Sequence, residues 1–348
     1  MRESGLRIGI AGLGRLGKRH ARNLAFKVRG AKLVAACSLV PEELAWAGKE
    51  LGVERLFPDF DAMLDAGDLD AAFLVSSSSV HASQAIKALG RGLHVFTEKP
   101  MGVSVAECRE VEAAAAARSD LVFLVGFVRR FDPSYARAKK LIDEGAIGEP
   151  FLLRSQTVDL DEYAPFQLAF VPSSGGIFLD MNVHDLDLAR WFLGAEAESV
   201  HAMGGSFVHP EFAAAGDADN TVALLRFLGG KIAVISASRT AFHGHDTHTE
   251  ITGSRGILKI GMTPSSSRVE LFDSGGARVE CVKDFFERFS EAFLAEAQEF
   301  VDCVRENRKP SILAQDGTRA TEIGFAMTES FHSGKPVQIH GSTATDAR

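Results

Sequence analysis

Gly12-Leu13-Gly14-Arg15-Leu16-Gly17 constrains this chain more than any other stretch of it. The hexapeptide lies between Arg7-Ile8-Gly9-Ile10-Ala11, which reads as a buried strand, and a helix-like stretch from about Leu16 to Val28. In that setting the first glycine allows a tight turn and the second lets a pyrophosphate approach the backbone. The third lets the helix lie close to the strand. The helix start then presents unpaired N–H groups to the phosphates. A lone GxGxxG is weak evidence, because turns use glycine freely. Here the strand–turn–helix context is the one the mechanism needs, so the reading is dinucleotide binding through residues 12–17 rather than a purely structural turn.

The alternation continues along the chain. Leu33 to Cys37 reads as a strand, and Pro41-Glu42-Glu43 as a helix start in which proline and acidic residues suit the first turn. Asp70 to Val75 is a further strand, His81 to Leu89 a helix, Leu93 to Phe96 a strand, Val105 to Ala117 a helix and Leu121 to Val125 a strand. Short apolar runs separated by helices predict βαβ units and a doubly wound parallel sheet. After Phe127 the rhythm changes. A helix is expected at Pro133 to Glu144, then alternating strands at 221–227 and 231–238 joined by Gly229-Gly230, and at 246–252 and 257–260. Helices follow at 285–305 and 314–332. The expected fold is α/β: an N-terminal Rossmann domain over 1–127 and a C-terminal α/β domain with a large, mostly antiparallel open sheet over 128–340. Residues 341–348 are expected to fray.

Composition excludes several classes. A length of 348 residues suits two domains rather than one core, and no apolar run reaches the roughly 18 residues of a bilayer span. The first residues pass straight into a strand-like segment without the regions of a secretory signal, so a cytoplasmic address is expected. Cys37, Cys108, Cys281 and Cys303 are scattered, with no CxxC pair, and read as reduced packing thiols. The balance of 38 basic against 46 acidic residues argues against a nucleic-acid surface. No membrane or nucleic-acid partner is expected.

The chemistry-bearing candidates lie in a few segments. At the end of the second strand an acidic side chain would bond the ribose hydroxyls and repel a 2′-phosphate. The chain offers Ser38 there, which can cap a turn or meet either group, so NAD and NADP both stay open, with NAD favoured by the absence of a basic residue. Lys99 follows the apolar strand Val95-Phe96-Thr97-Glu98 and precedes Pro100, at the sheet edge where ligands bind. A lysine there can stabilise a developing alkoxide. In Gly175-Gly176-Ile177-Phe178-Leu179-Asp180-Met181-Asn182-Val183-His184, a helix would turn Asp180 and His184 to one face. Histidine can take an alcohol proton and the carboxylate can orient the group. A capping aspartate and a carbonyl-bound histidine explain the spacing equally well. HExxH and an evident third ligand are lacking, so no metal is expected. Arg129, among aromatics in 126–131, suits polar oxygens. In the run 243–248, alternation would put His243 and His245 on one strand face, which favours substrate hydrogen bonding over metal.

Together these segments resemble the Gfo/Idh/MocA oxidoreductases, and within them the inositol 2-dehydrogenases. The resemblance rests on GLGRLG at 12–17, VSSSSVH at 75–81, EKP at 98–100, GFVRRFDPSY at 126–135 and GGIFLDMNVHDLDLARW at 175–191. It implies that Lys99 anchors the reacting hydroxyl, His184 acts as general base and Asp180 supports both. Cofactor contacts are implied at Gly12, Gly14, Arg15 and Leu16, with Leu13 and Gly17 in the same loop. They are further implied at Ser38, Ser76, Ser77, His81 and Glu98. Arg129 takes a substrate-contacting position. Thr157, His243 and His245 stand where the family pattern has His, Tyr and Tyr, and Ser38 where many NAD-using members have Asp. The implied reaction is NAD(P)-dependent oxidation of a ring alcohol, with myo-inositol to 2-keto-myo-inositol as the first choice and a homotetramer or dimer as the assembly. The alternatives are the same chemistry on another sugar or anhydrosugar, a non-catalytic dinucleotide sensor, and a redox-assisted glycoside hydrolase.

Overall fold

Apolar runs punctuated by glycine become the strands of a parallel sheet. In a computed structural model that describes residues 5–339, the chain divides into two units, one of residues 1–131 with 291–319 and one of 132–290 with 320–348. The reading of 341–348 as a frayed tail lies outside the described residues.

The first unit runs β1 (Leu6–Ala11), α1 (Arg15–Phe26), β2 (Ala31–Cys37), α2 (Pro41–Leu51), β3 (Arg55–Phe57), α3 (Phe60–Asp65) and β4 (Ala71–Leu74). It continues through α4 (Ser78–Gly90), β5 (His94–Glu98), α5 (Val105–Ala117) and β6 (Phe123–Gly126). Its six strands lie in the order β3-β2-β1-β4-β5-β6, every pair parallel. This is the doubly wound arrangement, and its order reverses between β1 and β4, where such sheets bind ligands beyond the strands' carboxyl ends. Continuous apolar sequence is what a strand covered on both faces requires. Phe73 of β4 stacks on Phe96 of β5 at 4.5 Å between centroids, and Phe300 meets Phe73 edge-on at 5.1 Å. Phe300 belongs to the returning segment 291–319, so the last part of this core comes from far along the chain.

The second unit begins with α6 (Pro133–Asp143), β7 (Pro150–Leu160), α7 (Ala164–Ser174), α8 (Ile177–Asp180) and α9 (Val183–Leu193). It goes on through β8 (Ala197–Gly205), α10 (Glu211–Ala214), β9 (Asn220–Phe227), β10 (Lys231–Ala241), β11 (Thr249–Gly253) and β12 (Gly256–Ile260). A two-stranded ribbon follows, β13 (Ser265–Asp273) with β14 (Gly276–Cys281), and then α11 (Phe285–Arg288). Helix α12 (Ser290–Glu306) enters the first unit, and α13 (Ala314–Ser333) leads back to β15 (Val337–Gln338). Seven strands form one sheet in the order β12-β11-β7-β10-β9-β8-β15, antiparallel except for β7 with β10. Alternation along β9 buries Ala223, Leu225 and Phe227, while Val222 and Leu224 are exposed at 46% and 55%. Among the described residues no helix is long and apolar enough to cross a membrane.

Three expectations need correction. The helix expected over 285–305 is two helices, interrupted at Phe289, whose backbone leaves the helical region. The stretch from Gly176 to His184 is also not one helix: α8 ends at Asp180 and α9 starts at Val183, so the four-residue spacing of Asp180 and His184 does not put them on one continuous face. Residues 243–248 are irregular rather than strand, apart from a single bridge at Asp246. Gly244 sits at φ +139, and a Cβ there would overlap the Val282 carbonyl oxygen. A regular strand cannot pass through that conformation.

Candidate active site

The glycine loop is built from three distinct constraints. Gly12 has φ +90, and a Cβ there would overlap the backbone of Val75 and Ser76, so only glycine lets β1 turn this close to the end of β4. Its N–H donates to the Cys37 carbonyl at 2.9 Å, which ties the loop to the end of β2. A Cβ on Gly17 would overlap the Gly12 carbonyl oxygen, so the third glycine closes helix onto loop. Gly14 is different. It precedes α1 without a side-chain cap, and a Cβ there would meet nothing within 4 Å. An uncapped helix start with open space above it fits a pyrophosphate. Leu13 is wholly buried and Leu16 packs on the same core, so both can meet a cofactor only through backbone; Arg15 is exposed.

The serines at the strand ends are already engaged. Ser76 donates to Gln84 Oε1 at 2.6 Å, and Ser77 precedes α4. Ser38 donates to Glu43 Oε2 at 2.6 Å and accepts the Val40 N–H at 3.1 Å, so the turn-capping role is realised. His81 is buried between two carbonyls, Nδ1 to Pro100 O and Nε2 to Ser76 O, each at 2.9 Å. Burial pushes its imidazole below the ordinary range, against the opposing pull of those carbonyls. It therefore braces the chain on both sides of the sheet edge. The thiol of Cys37 is pushed up to about 11 by burial and by Asp59, and all four cysteines are free, which makes Cys37 a packing group.

Lys99 follows β5 directly, and its backbone N–H donates to Glu98 Oε2 at 3.2 Å. Beneath it lies a cluster that sequence reading missed. His20 Nε2 lies 2.8 Å from Glu98 Oε1 and 3.7 Å from Glu296 Oε1, with His20 and Glu296 at 0% exposure. Phe96 and Phe293 flank the imidazole. These three side chains are the one group among the described residues whose donor atoms come close enough together to hold a cation. Burial, and then the Glu98 carboxylate, raise the Glu296 carboxyl well above its usual range, so a proton there balances the cluster. The folded protein holds that proton more tightly than the unfolded chain. Its contribution to stability is complete below the ordinary glutamate range and is lost as pH rises through the raised folded value. Glu296→Gln, neutral at every pH, is expected to flatten that loss in melting curves collected from pH 5 to 9. No signal in the local sequence marks Glu296, because it sits in a helix that otherwise reads as amphipathic surface and its partners His20 and Glu98 are 276 and 198 positions away.

The second unit positions Asp180 and His184 separately. Asp217 Oδ1 accepts the Ile177 N–H at 3.1 Å, which pins the start of α8. Asp217 Oδ2 takes Arg239 Nη1 at 2.8 Å, and Arg239 Nη2 lies 3.9 Å from Asp180 Oδ2. Arg239 is wholly buried, with its guanidinium 4.6 Å from the Phe212 ring centroid, so its charge is directed at these two aspartates. Asp185, wholly buried in α9, accepts Ser155 Oγ at 2.7 Å, Thr157 Oγ1 at 2.6 Å and Asn182 Nδ2 at 3.0 Å. That knot fastens the start of α9, where His184 sits half-buried, to β7. The Thr157 hydroxyl commits its proton to Asp185.

The expected substrate residues do not form a single set. His245 is buried, with Nδ1 2.7 Å from Asp159 Oδ1, whereas the His243 side chain is 51% exposed and lies 3.6 Å from Asp246. The shared strand face expected for them is absent because Gly244 breaks the extended run. Arg129 is buried in the 3₁₀ turn 128–131 that ends the first segment of unit one. Lys99 and Arg129 belong to the first unit, and Asp180, His184, Thr157, His243 and His245 to the second.

Two family models cover most of the chain: an oxidoreductase family with an NAD-binding Rossmann fold over 6–127, and a GFO/IDH/MocA C-terminal domain over 135–259. The chain belongs to the Gfo/Idh/MocA family. Full-length members of this family sharpen the picture. The scyllo-inositol 2-dehydrogenase (NAD(+)) of Bacillus subtilis is 37% identical, over 97% of each chain. The myo-inositol 2-dehydrogenase of Thermotoga maritima is 34% identical over 96% of this chain and 98% of its own. The crystal structure of scyllo-inositol dehydrogenase from Lactobacillus casei with bound NAD(H) and scyllo-inositol superposes with a TM-score of 0.93. It has 42% identity and covers 96% of this chain and 99% of that one. The protein is an NAD-dependent oxidoreductase acting on CH–OH groups.

Proposed function

We propose that the protein is an inositol 2-dehydrogenase that oxidises one ring hydroxyl of myo- or scyllo-inositol to the corresponding ketone. The observation that carries this reading is the position of Lys99. It leaves β5 at the carboxyl edge of the same parallel sheet whose β1–α1 turn is the glycine loop. Bound NAD⁺ supplies the hydride acceptor. The ammonium of Lys99 donates a hydrogen bond to the reacting oxygen and stabilises the negative charge that grows there. His184 accepts the hydroxyl proton, and Asp180, held by Arg239 and the Asp217-pinned helix start, orients the donors around that oxygen. Arg129, Thr157, His243 and His245 meet the remaining ring hydroxyls. The protein works in the cytoplasm as a homo-oligomer, and the apolar face of the second sheet around Val222 and Leu224 supports such an assembly.

The axial hydroxyl of myo-inositol and any hydroxyl of scyllo-inositol yield the same ketone, so one active site can serve both. The test follows reduced cofactor by absorbance across inositols, aldoses and anhydrosugars, with NAD⁺ and NADP⁺ in parallel. Turnover of one or both of these inositols with NAD⁺, at kcat/KM at least tenfold above every aldose, is expected. Turnover confined to non-inositol substrates would overturn the substrate assignment, and dinucleotide binding without turnover would point to a sensor.

A further inference from the structure

We propose that Glu43, acting with Ser38, selects NAD against NADP by occupying the place where doubly wound sheets usually carry an acidic residue on the second strand. The inference rests on dinucleotide binding by the first unit and not on the identity of the polyol. At the strand end itself the chain offers a serine, and the sequence gives no reason to look further. The fold supplies the carboxylate from five positions on, in the first turn of α2.

Several contacts fix the pair. Ser38 is 7% exposed, and its N–H donates to the Phe57 carbonyl, which holds it in line with β2. The neighbouring Cys37 carbonyl accepts the Gly12 N–H at 2.9 Å, so the pair stands beside the glycine loop. Ser38 Oγ donates to Glu43 Oε2 at 2.6 Å, a short bond of the charge-assisted kind, and takes the Val40 N–H at 3.1 Å. The serine proton is therefore directed at the carboxylate and is not available to a phosphate. What Ser38 and Glu43 present is lone pairs, which accept the protons of ribose hydroxyls. A 2′-phosphate brings negative charge and no proton to donate. Beside the half-buried Glu43 carboxylate it meets like-charge repulsion. The start of α2 favours an acidic group in this position, and Pro41 sets the helix direction that brings Glu43 back over the strand end. Cations on α1 do not cancel the effect in the obvious way: Lys18 and Arg22 stand over the Trp46 ring of α2, at 5.4 and 5.2 Å from its centroid.

The test measures binding rather than turnover. Dissociation constants of NADH and NADPH are read from the fluorescence of the reduced nicotinamide, with the full-length wild type, Glu43→Gln, and Glu43→Gln combined with Ser38→Asp. Wild type is expected to bind NADH at least about tenfold more tightly than NADPH. Glu43→Gln should shrink that ratio by about tenfold, chiefly through tighter NADPH, with NADH changing by less than about threefold. Returning a carboxylate on the strand with Ser38→Asp should restore discrimination, an effect that a merely structural role for Glu43 does not produce. An unchanged ratio in Glu43→Gln, or equal affinities in the wild type, overturns the proposal. Failure of the wild type to bind either nucleotide would instead overturn dinucleotide binding itself.

Discussion

Lys99→Ala is expected to lower kcat by about 100- to 1,000-fold while the dissociation constant for NADH stays within about twofold of wild type. In the proposed mechanism the ammonium of Lys99 acts on the reacting oxygen, whereas the glycine loop and the end of β2 carry cofactor affinity. KM for inositol should rise less than kcat falls, because the charge on the oxygen develops only as the reaction proceeds. Lys99→Arg keeps the charge but replaces a compact ammonium with a planar fork, so it should recover part of the loss and not all of it. Steady-state kinetics paired with NADH titration separates these terms. A variant with wild-type kcat would remove Lys99 from the chemistry.

The second large effect is expected in the glycine loop, where two neighbouring substitutions should fail for different reasons. Gly12→Ala forces a Cβ into the backbone of Val75 and Ser76 at a residue with φ +90. The left-handed backbone costs about 1–2 kcal/mol and the overlap about 1–3 kcal/mol more, so the melting temperature should fall along with NADH affinity. Gly14→Ala adds a methyl that meets no protein atom within 4 Å. Its stability should stay within about 0.5 kcal/mol of wild type. Its NADH dissociation constant should nevertheless rise about tenfold or more if, as proposed, the pyrophosphate approaches the backbone through that space. Equal losses of stability in both variants would show that the space above Gly14 has no such role.

Much of the first unit was legible because parallel strands covered on both sides are written as unbroken apolar runs. The expected helix at Val105 to Ala117 matches α5 residue for residue, helped by Ser104, which accepts the Glu107 N–H as a cap. Strand β3 was missed because three residues are too few to show alternation. The break between α8 and α9 was missed because Met181 and Asn182 carry no helix-breaking signature in their sequence. His243 and His245 were paired by a period of two that Gly244 interrupts. Motif positions single out Lys99, Asp180 and His184 as candidates, but not the groups that hold their neighbours: Glu296, Arg239, Asp217 and Asp185. Such groups are recognisable only by partners distant in sequence. Glu43 was read as a helix-start charge, and only the fold shows that it also faces Ser38.

The return of residues 291–319 has a bearing on how the chain is made. The Phe73–Phe96 stack leaves the ribosome early, yet Phe300, which covers its edge, follows only after the 159 residues of 132–290. At synthesis rates of about 5–20 residues per second that interval is about 8–30 s. During it, the Phe73–Phe96 stack should lack the edge-on cover that Phe300 later provides. Release of a polypeptide halted before residue 291 should therefore yield a species that aggregates or recruits holdases, even though every strand of its sheet has already been translated.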